Sequence, residues 1–277
     1  MFKTLLRQLA RRAGYELVHH SEDVVLHELL DTYRELRLSP NNALRWDDRL
    51  PRAAAQAHVR HLIRLHTIDL VIDVGANEGQ FGSMLRKLGY TGEIVSFEPA
   101  NRARAQLTKV AEGDARWHIR PQAVGRIAGQ AELQVYADNM FSSLHKINDA
   151  GAKRFGDLVA PGSVEMIDVV ALDDIWAELT GGEPRRVFLK TDTQGHDLEV
   201  VMGTTLHMGE VFAALTEASV IPIYERSPRF PEILAFLGNT GLQLSGVFPI
   251  SHEPQNLSLI EMDCAFTRAA ASDHRRQ

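Results

Sequence analysis

Residues 70–74 read Leu-Val-Ile-Asp-Val and run directly into a loop carrying Gly75, Asn77 and Gly79, after which Phe81, Leu85 and Leu88 recur at helical spacing. A short β-branched run is how a strand buried on both faces reads, and the helix that follows stops at Gly89. Strand, glycine turn and helix in that order commit the chain to a βα unit, and the rhythm continues. Residues 94–97 form the next strand and end in Glu98-Pro99, residues 102–110 suit a helix, and residues 117–119 a third strand. Residues 131–136, 164–170 and 187–190 are further strand candidates, and Asp173 or Asp174 can cap a helix through Leu179. Strands alternating with helices predict an α/β fold with right-handed crossovers and a mostly parallel sheet. Residues 242–248 and 258–266 lie too close together for a helical crossover, which predicts an antiparallel pair at the sheet edge. Residues 137–162 interrupt the βα rhythm.

The chain divides at about residue 66. Residues 1–66 read as a helical N-terminal accessory segment, with Phe2, Leu5, Leu6, Leu9 and Ala13 on one face among Lys3, Arg7, Arg11 and Arg12. A break follows at residues 39–42, and Pro51 opens a second helical stretch through Val59, Leu62 and Leu65. This segment holds 11 Lys and Arg against 8 Asp and Glu, whereas residues 67–277 hold 19 against 28. The net charge of -6 gives no bulk attraction to nucleic acid. The single cysteine, Cys264, excludes an internal disulfide framework and a multi-cysteine zinc site, and its alternating apolar neighbours make it a packed thiol. No apolar run reaches the roughly 20 residues of a membrane span, and the N-terminus lacks the pattern of a secretory signal. The expected compartment is the cytoplasm. The amphipathic arm has two readings: a peripheral contact with a membrane surface, or packing on the domain or on a second subunit in a homo-oligomer. Packing is preferred.

The loop from Asp73 to Gly79 brings helix N-terminal N–H groups and close backbone approach to a ligand. The dinucleotide fingerprint needs glycines at 75, 77 and 80, where this chain has Gly75, Asn77 and Gln80. The D-x-G-x-G-x-G pattern of class I methyltransferases fits better, with only the middle glycine replaced. A buried carboxylate at Asp73 suits the ammonium and sulfonium of S-adenosylmethionine, and Glu98 at the tip of the second strand can take both ribose hydroxyls.

From there the sequence resembles the FkbM-type S-adenosylmethionine-dependent methyltransferases over roughly residues 68–268. The resemblance rests on VIDVGANEGQFG at 71–82, SFEP at 96–99, QAVG at 122–125 and SSLH at 142–145. It continues in VVALDDI at 169–175, FLKTDTQGHDLEVVMG at 188–203, PIYE at 222–225 and IEMDCAF at 260–266. It implies a class I, Rossmann-like, mostly parallel seven-stranded sheet and methylation of hydroxyls, often on sugars. It also assigns Asp73, Gly75, Asn77 and Gly79 to the methionine end of the cofactor, Glu98 to the ribose, and Gln122 and Ala123 to the adenine border. Two positions depart from the family: Asp197 stands where Glu is usual, and His196 where an apolar or aromatic residue is common.

A sugar hydroxyl is a poor nucleophile and calls for a general base. Asp192, at the carboxyl end of the 187–190 strand, is the leading candidate, with Lys190 two residues earlier to hold it and His196 as the second candidate base. Asn139, Ser142, Ser143 and His145 in the irregular stretch, with Gln194, supply short polar groups for a hydroxyl-rich acceptor. Asp192, Asp197 and Glu217 could gather around a divalent metal, which is not the favoured reading. The sequence therefore predicts an O-methyltransferase acting on a small-molecule, glycan or glycolipid acceptor, and on no nucleic acid. A nicotinamide-dependent oxidoreductase and a non-catalytic methyltransferase-like binding module are the competing readings.

Overall fold

The structure, a computed structural model, describes residues 49–253 and 255–269. The amphipathic stripe from Phe2 to Ala13 and the break at 39–42 lie outside the described residues. Helix α1 (Arg49–Leu65) leads into β1 (Leu70–Val74), α2 (Gln80–Lys87), β2 (Glu93–Phe97), α3 (Asn101–Ala111) and β3 (Trp117–Arg120). Then come β4 (Ala123–Val124), β5 (Gly129–Tyr136), α4 (Asp149–Phe155), β6 (Pro161–Val170), α5 (Leu172–Thr180) and β7 (Val187–Thr191). The described residues continue with α6 (Asp197–Met202), β8 (Val211–Ser219), α7 (Phe230–Asn239), β9 (Leu242–His252) and β10 (Leu259–Arg268).

Seven strands form one sheet in the order β3-β2-β1-β7-β8-β10-β9. All neighbours from β3 to β8 are parallel, and β10 runs antiparallel to both β8 and β9. The predicted antiparallel pair is therefore present, with β10 slotted inside and β9 at the edge. Strand order reverses between β1 and β7, so their crossovers leave to opposite sides and open a crevice at the carboxyl ends, where open α/β sheets bind ligands.

Both faces of the sheet are covered. Val71, Phe188 and Ala213 pack beneath Val59 and Leu62 of α1, Leu85 of α2 and Leu107 of α3. On the other face Ile72, Val74, Leu189 and Ala214 meet Trp176 of α5, Val200 of α6 and Leu237 of α7. Each fully buried Leu, Ile or Phe side chain contributes roughly 1.5–3 kcal/mol of transfer free energy. Cys264 is buried with a free thiol, as its pattern predicts. No described helix is long and apolar enough to cross a membrane.

Several expectations change. The strands expected at 131–136 and 164–170 exist as β5 and β6, but they leave the main sheet and pair with β4 in a separate three-stranded one. Central strand β8 escapes the sequence reading because Val-Phe-Ala-Ala-Leu-Thr-Glu-Ala-Ser is rich in helix formers; placement between β7 and β10 overrides that propensity. Helix α4 emerges from the irregular stretch, capped by the Asn148 side chain, which accepts from the Gly151 N–H at 2.9 Å. Asp173 does not cap α5; Ala171 holds that position, and the Asp173 carboxylate accepts from the Leu206 N–H and meets His207 Nδ1. His66, just past the end of α1, is buried and bonds Thr267 Oγ1 at 2.7 Å.

Candidate functional site

A cleft opens at the carboxyl ends of β1, β2 and β7. Its first wall is the β1–α2 loop. Gly75 (φ 74°), Asn77 (φ 48°) and Gly79 (φ 90°) all adopt left-handed backbone, which glycine and asparagine tolerate best, and that explains how Asn can replace the middle glycine. A Cβ on Gly75 would lie 1.9 Å from the Asp192 carbonyl oxygen, so this glycine is required by the close approach of the β7–α6 loop. Gly75 and Asn77 line the cleft; Gly79 does not, and packs against Leu107 and Trp117 instead.

Glu98 directly follows β2 and is 7% exposed. One carboxylate oxygen accepts from the Asn77 N–H at 2.7 Å and the other from the Ala100 N–H at 2.8 Å. Burial raises its pKa, and those two N–H groups and Lys190 oppose the rise. The pinned carboxylate therefore faces the cleft in one orientation. Behind it Phe97, Val124, Leu133 and Leu144 make an apolar slot, and Ala123 borders it as expected while Gln122 is not among the lining residues.

Asp73 and Lys190 do not line the cleft. Asp73 is fully buried, accepts from Ser96 Oγ at 3.1 Å and pairs with Lys190 Nζ at 3.2 Å. Lys190 Nζ also donates to the Gly75 carbonyl at 2.8 Å and lies 3.6 Å from Asp192 Oδ2. Burial works against its ammonium, but Asp73 and Asp192 outweigh that and raise its pKa. The two residues brace the site from beneath: the parallel register sets Asp73 opposite Lys190 on adjacent strands. Asp192 does line the cleft, with a side chain 40% exposed. It does not cap α6; its Oδ1 accepts from Gln194 Nε2 at 2.9 Å.

Residues 139–145 close the other wall. Asn139, Ser142 and Ser143 line the cleft. Ser143 is 1% exposed and already engaged, donating to the Gln194 carbonyl at 2.7 Å and accepting from the His145 N–H. His196 Nδ1 lies 3.2 Å from His145 Nε2. Burial, reinforced by His145, pushes His196 down to about 4, and burial also lowers His145, so both rings are neutral near pH 7. A histidine held that low is a weak base.

Four side-chain atoms on this cleft are buried and without a hydrogen-bond partner: Asn77 Oδ1, Asn139 Oδ1, Ser142 Oγ and Thr193 Oγ1. Buried polar groups are normally satisfied, so their gathering on one cleft marks the place of a polar ligand. Sequence reasoning missed Thr193 and the apolar slot. Thr193 lay within the KTDTQG block, whereas no local signal marks Leu133 and Leu144.

Asp192, Asp197 and Glu217 come within electrostatic range of one another. Burial, then Asp192, pushes Asp197 up to about 6, and burial, then Glu261, raises Glu217. Among the described residues no three His, Cys, Asp or Glu side chains are arranged to hold a metal ion.

A family profile described as the methyltransferase FkbM domain matches residues 73–244. No curated protein matches the sequence. Similar solved structures include Aeropyrum pernix fibrillarin with S-adenosyl-L-methionine, 14% identical over 76% of this chain and 73% of that one, with a TM-score of 0.39. A putative S-adenosylmethionine-dependent methyltransferase from Listeria monocytogenes is 9% identical over 79% and 100%, with a TM-score of 0.43. Magnesium protoporphyrin IX methyltransferase from Synechocystis PCC 6803, with bound cofactor, is 10% identical over 91% and 100%, at 0.41.

Proposed function

The chain belongs to the FkbM methyltransferase family, with a class I methyltransferase fold, and from that premise we propose that it methylates a hydroxyl from S-adenosylmethionine. The acceptor in this reading is a sugar of a glycolipid, polysaccharide or glycosylated metabolite. The observation that carries the proposal is the set of four unpartnered polar atoms on the cleft that also holds Glu98 and Asp192.

The residues fit the cofactor. The Glu98 carboxylate, fixed by two backbone N–H groups, has lone pairs left for a ribose diol. The apolar slot of Phe97, Val124, Leu133 and Leu144 suits a flat adenine, and Asn77 Oδ1 is a free acceptor beside the glycine loop. The bound cofactor supplies the methyl group already activated on a sulfonium. This chain has to orient the acceptor oxygen, exclude water and hold the departing proton. Asp192 takes the proton: it faces the cleft, while Lys190 and Gln194 engage its two oxygens. Asn139 and Ser142 offer short hydrogen-bonding groups to neighbouring hydroxyls. His196, neutral and weakly basic, shapes the wall.

Calorimetry with S-adenosylhomocysteine and with NAD(H) tests the cofactor assignment. Binding of the first is expected, weakened roughly 10- to 100-fold by Glu98→Gln, the range for losing one hydrogen bond to a charged group. Tight NAD(H) binding without S-adenosylhomocysteine binding overturns it and favours an oxidoreductase. Labelled-methyl transfer to a panel of p-nitrophenyl glycosides then tests the acceptor class. The N-terminal segment is proposed to pack on the domain or a second subunit.

A further inference from the structure

We propose that Tyr224 is a positioning residue for Asp192, acting through the side-chain amide of Gln194 and tying the candidate base to the loop that walls the cleft. The proposal rests on the reading of Asp192 as the acceptor's base. Tyr224 lies in the Pro222–Glu225 segment that follows β8 and is 2% exposed. Its hydroxyl lies 2.8 Å from Gln194 Oε1 and 3.2 Å from the Phe141 carbonyl. Gln194 Nε2 in turn donates to Asp192 Oδ1 at 2.9 Å. The direction of this chain is set by chemistry. An ionised carboxylate only accepts, so the NH₂ end of the amide faces Asp192 and the oxygen end faces the Tyr224 O–H. Burial, then Glu217 and Glu261, raises the Tyr224 pKa, so the hydroxyl keeps its proton and stays a donor.

Gln194 is held for this purpose at both ends. Its backbone sits at φ 55°, a left-handed conformation unfavourable for a residue with a Cβ, and its carbonyl accepts from Ser143 Oγ at 2.7 Å. Ser143 directly, and Tyr224 through its contact with the Phe141 carbonyl, therefore tie Gln194 to the segment Phe141–Ser143, the same segment that presents Ser142 to the cleft. Asp192 has a side chain 40% exposed, and Lys190, 3.6 Å from Oδ2, attracts it as an ion pair without a hydrogen bond to fix its orientation, which leaves that to Gln194. Seating the 139–145 loop and aiming the base are thereby one event. This gives the PIYE segment a role that the fold alone does not supply.

Two measurements test the relay, and the first needs no acceptor. Hydrogen exchange across residues 139–147 is followed in the full-length protein saturated with S-adenosylhomocysteine, for wild type, Tyr224→Phe, Asp192→Ala and the double variant. Tyr224→Phe is expected to speed exchange roughly 5- to 10-fold, the effect of one lost hydrogen bond. The double variant should exceed the faster single by less than twofold, because each single already breaks the same relay. If the two single effects multiply, Tyr224 and Asp192 are independent and the proposal is overturned. Gln194→Met, which breaks the chain in the middle, must reproduce the pattern and covers the case that Tyr224→Phe folds poorly. The second measurement is turnover on whichever p-nitrophenyl glycoside the panel shows to be methylated. Tyr224→Phe and Gln194→Met should each lower kcat about 10-fold with KM within twofold, as expected when an interaction made in the transition state is lost. Unchanged kcat in both overturns the proposal. Retained turnover in Asp192→Ala would instead remove Asp192 as base, while the exchange cycle still decides whether the relay exists.

Discussion

Replacing Asp263 by Asn should stabilise the protein at alkaline pH and leave it unchanged in acid. Asp263 on β10 sits directly opposite Glu217 on β8, and like charges facing across an antiparallel pair repel. Burial, then the charge of Asp192, pushes Asp263 from its ordinary 3.8 up to about 7, against the pull of Lys190 and Arg52. Its neighbours are pushed the same way, Glu261 to about 7 and Asp197 to about 6. A carboxyl whose pKa is raised by folding binds its proton more tightly in the native chain than in the unfolded one. Below pH 3.8 both states are protonated and nothing is lost. As pH rises towards 7 the unfolded chain ionises first, and native stability falls by the difference. For one isolated group a gap from 3.8 to about 7 has an upper limit of ~4 kcal/mol at 1.36 kcal/mol per tenfold change in proton affinity. Because the acids titrate together, removing one relieves part of that and also relaxes the others, so a gain of about 1–3 kcal/mol at pH 8 is expected. Urea unfolding of wild type and Asp263→Asn at pH 3.5, 5 and 8 reads it directly, the gain growing from none at pH 3.5 to its full size at pH 8, with unchanged m-values confirming that only stability moved. A variant destabilised equally at all three pH values would refute the reasoning, since it would mean that Asp263 serves as an ionised partner rather than an unrelieved charge.

Three further outcomes follow from the same geometry. Gly75→Ala should destabilise by ~3 kcal/mol or more and abolish S-adenosylhomocysteine binding, because the new Cβ collides with the Asp192 carbonyl at φ 74°; a normal melting temperature would show that the two loops can part. Lys190→Met should cost about 3–5 kcal/mol by stranding the buried Asp73 carboxylate, and adding Asp73→Asn should restore part of the loss in chemical denaturation. Folding depresses His196 from 6.5 to about 4, so its share of native stability is intact above pH 6.5 and is lost as pH falls towards 4. Melting curves of His196→Gln should therefore decline less steeply than wild type between pH 6.5 and 4.5, and parallel curves would exclude the pair as the acid-labile element.

Periodicity made β1, α2, β2, β7 and the β9–β10 pair legible because each is a buried element with a local signature: a β-branched run, a glycine stop, or a link too short for a crossover. Glu98 and Asp192 were legible for a related reason, as acids at the carboxyl ends of recognisable strands. What could not be read depends on contacts across the chain. The helix-forming composition of β8 gives way only because two strands already flank it. Leu133 and Leu144 look like ordinary apolar residues until the separate sheet and its following loop carry them to the cleft that Glu98 also lines. Asp73 and Lys190 drew functional roles from their motifs, one as a cofactor contact and one as a catalytic residue, yet they face each other beneath the cleft and line none of it. A single sequence shows both charges and not that they neutralise one another.

That pairing explains why the glycine loop and the Lys-x-Asp segment occur together in a chain that separates them by 115 residues. Lys190 Nζ reaches the Gly75 carbonyl, the Asp73 carboxylate and the Asp192 carboxylate at once. The Asp192 N–H continues the β1–β7 ladder by donating to the Val74 carbonyl at 3.1 Å, and only a glycine at 75 leaves room for the Asp192 backbone. The loop expected to hold the methyl donor and the residue expected to take the acceptor's proton are thus built on one ammonium and two adjacent strands. Their separation is set by the 4.7–4.9 Å spacing of neighbouring strands rather than by flexible loops. Methyl transfer needs the acceptor oxygen opposite the donor's sulfur across the methyl carbon, with the base within hydrogen-bond reach of that oxygen's proton. In the proposed reaction, placing the donor's loop and the base at the β1–β7 switch point meets that need with backbone geometry.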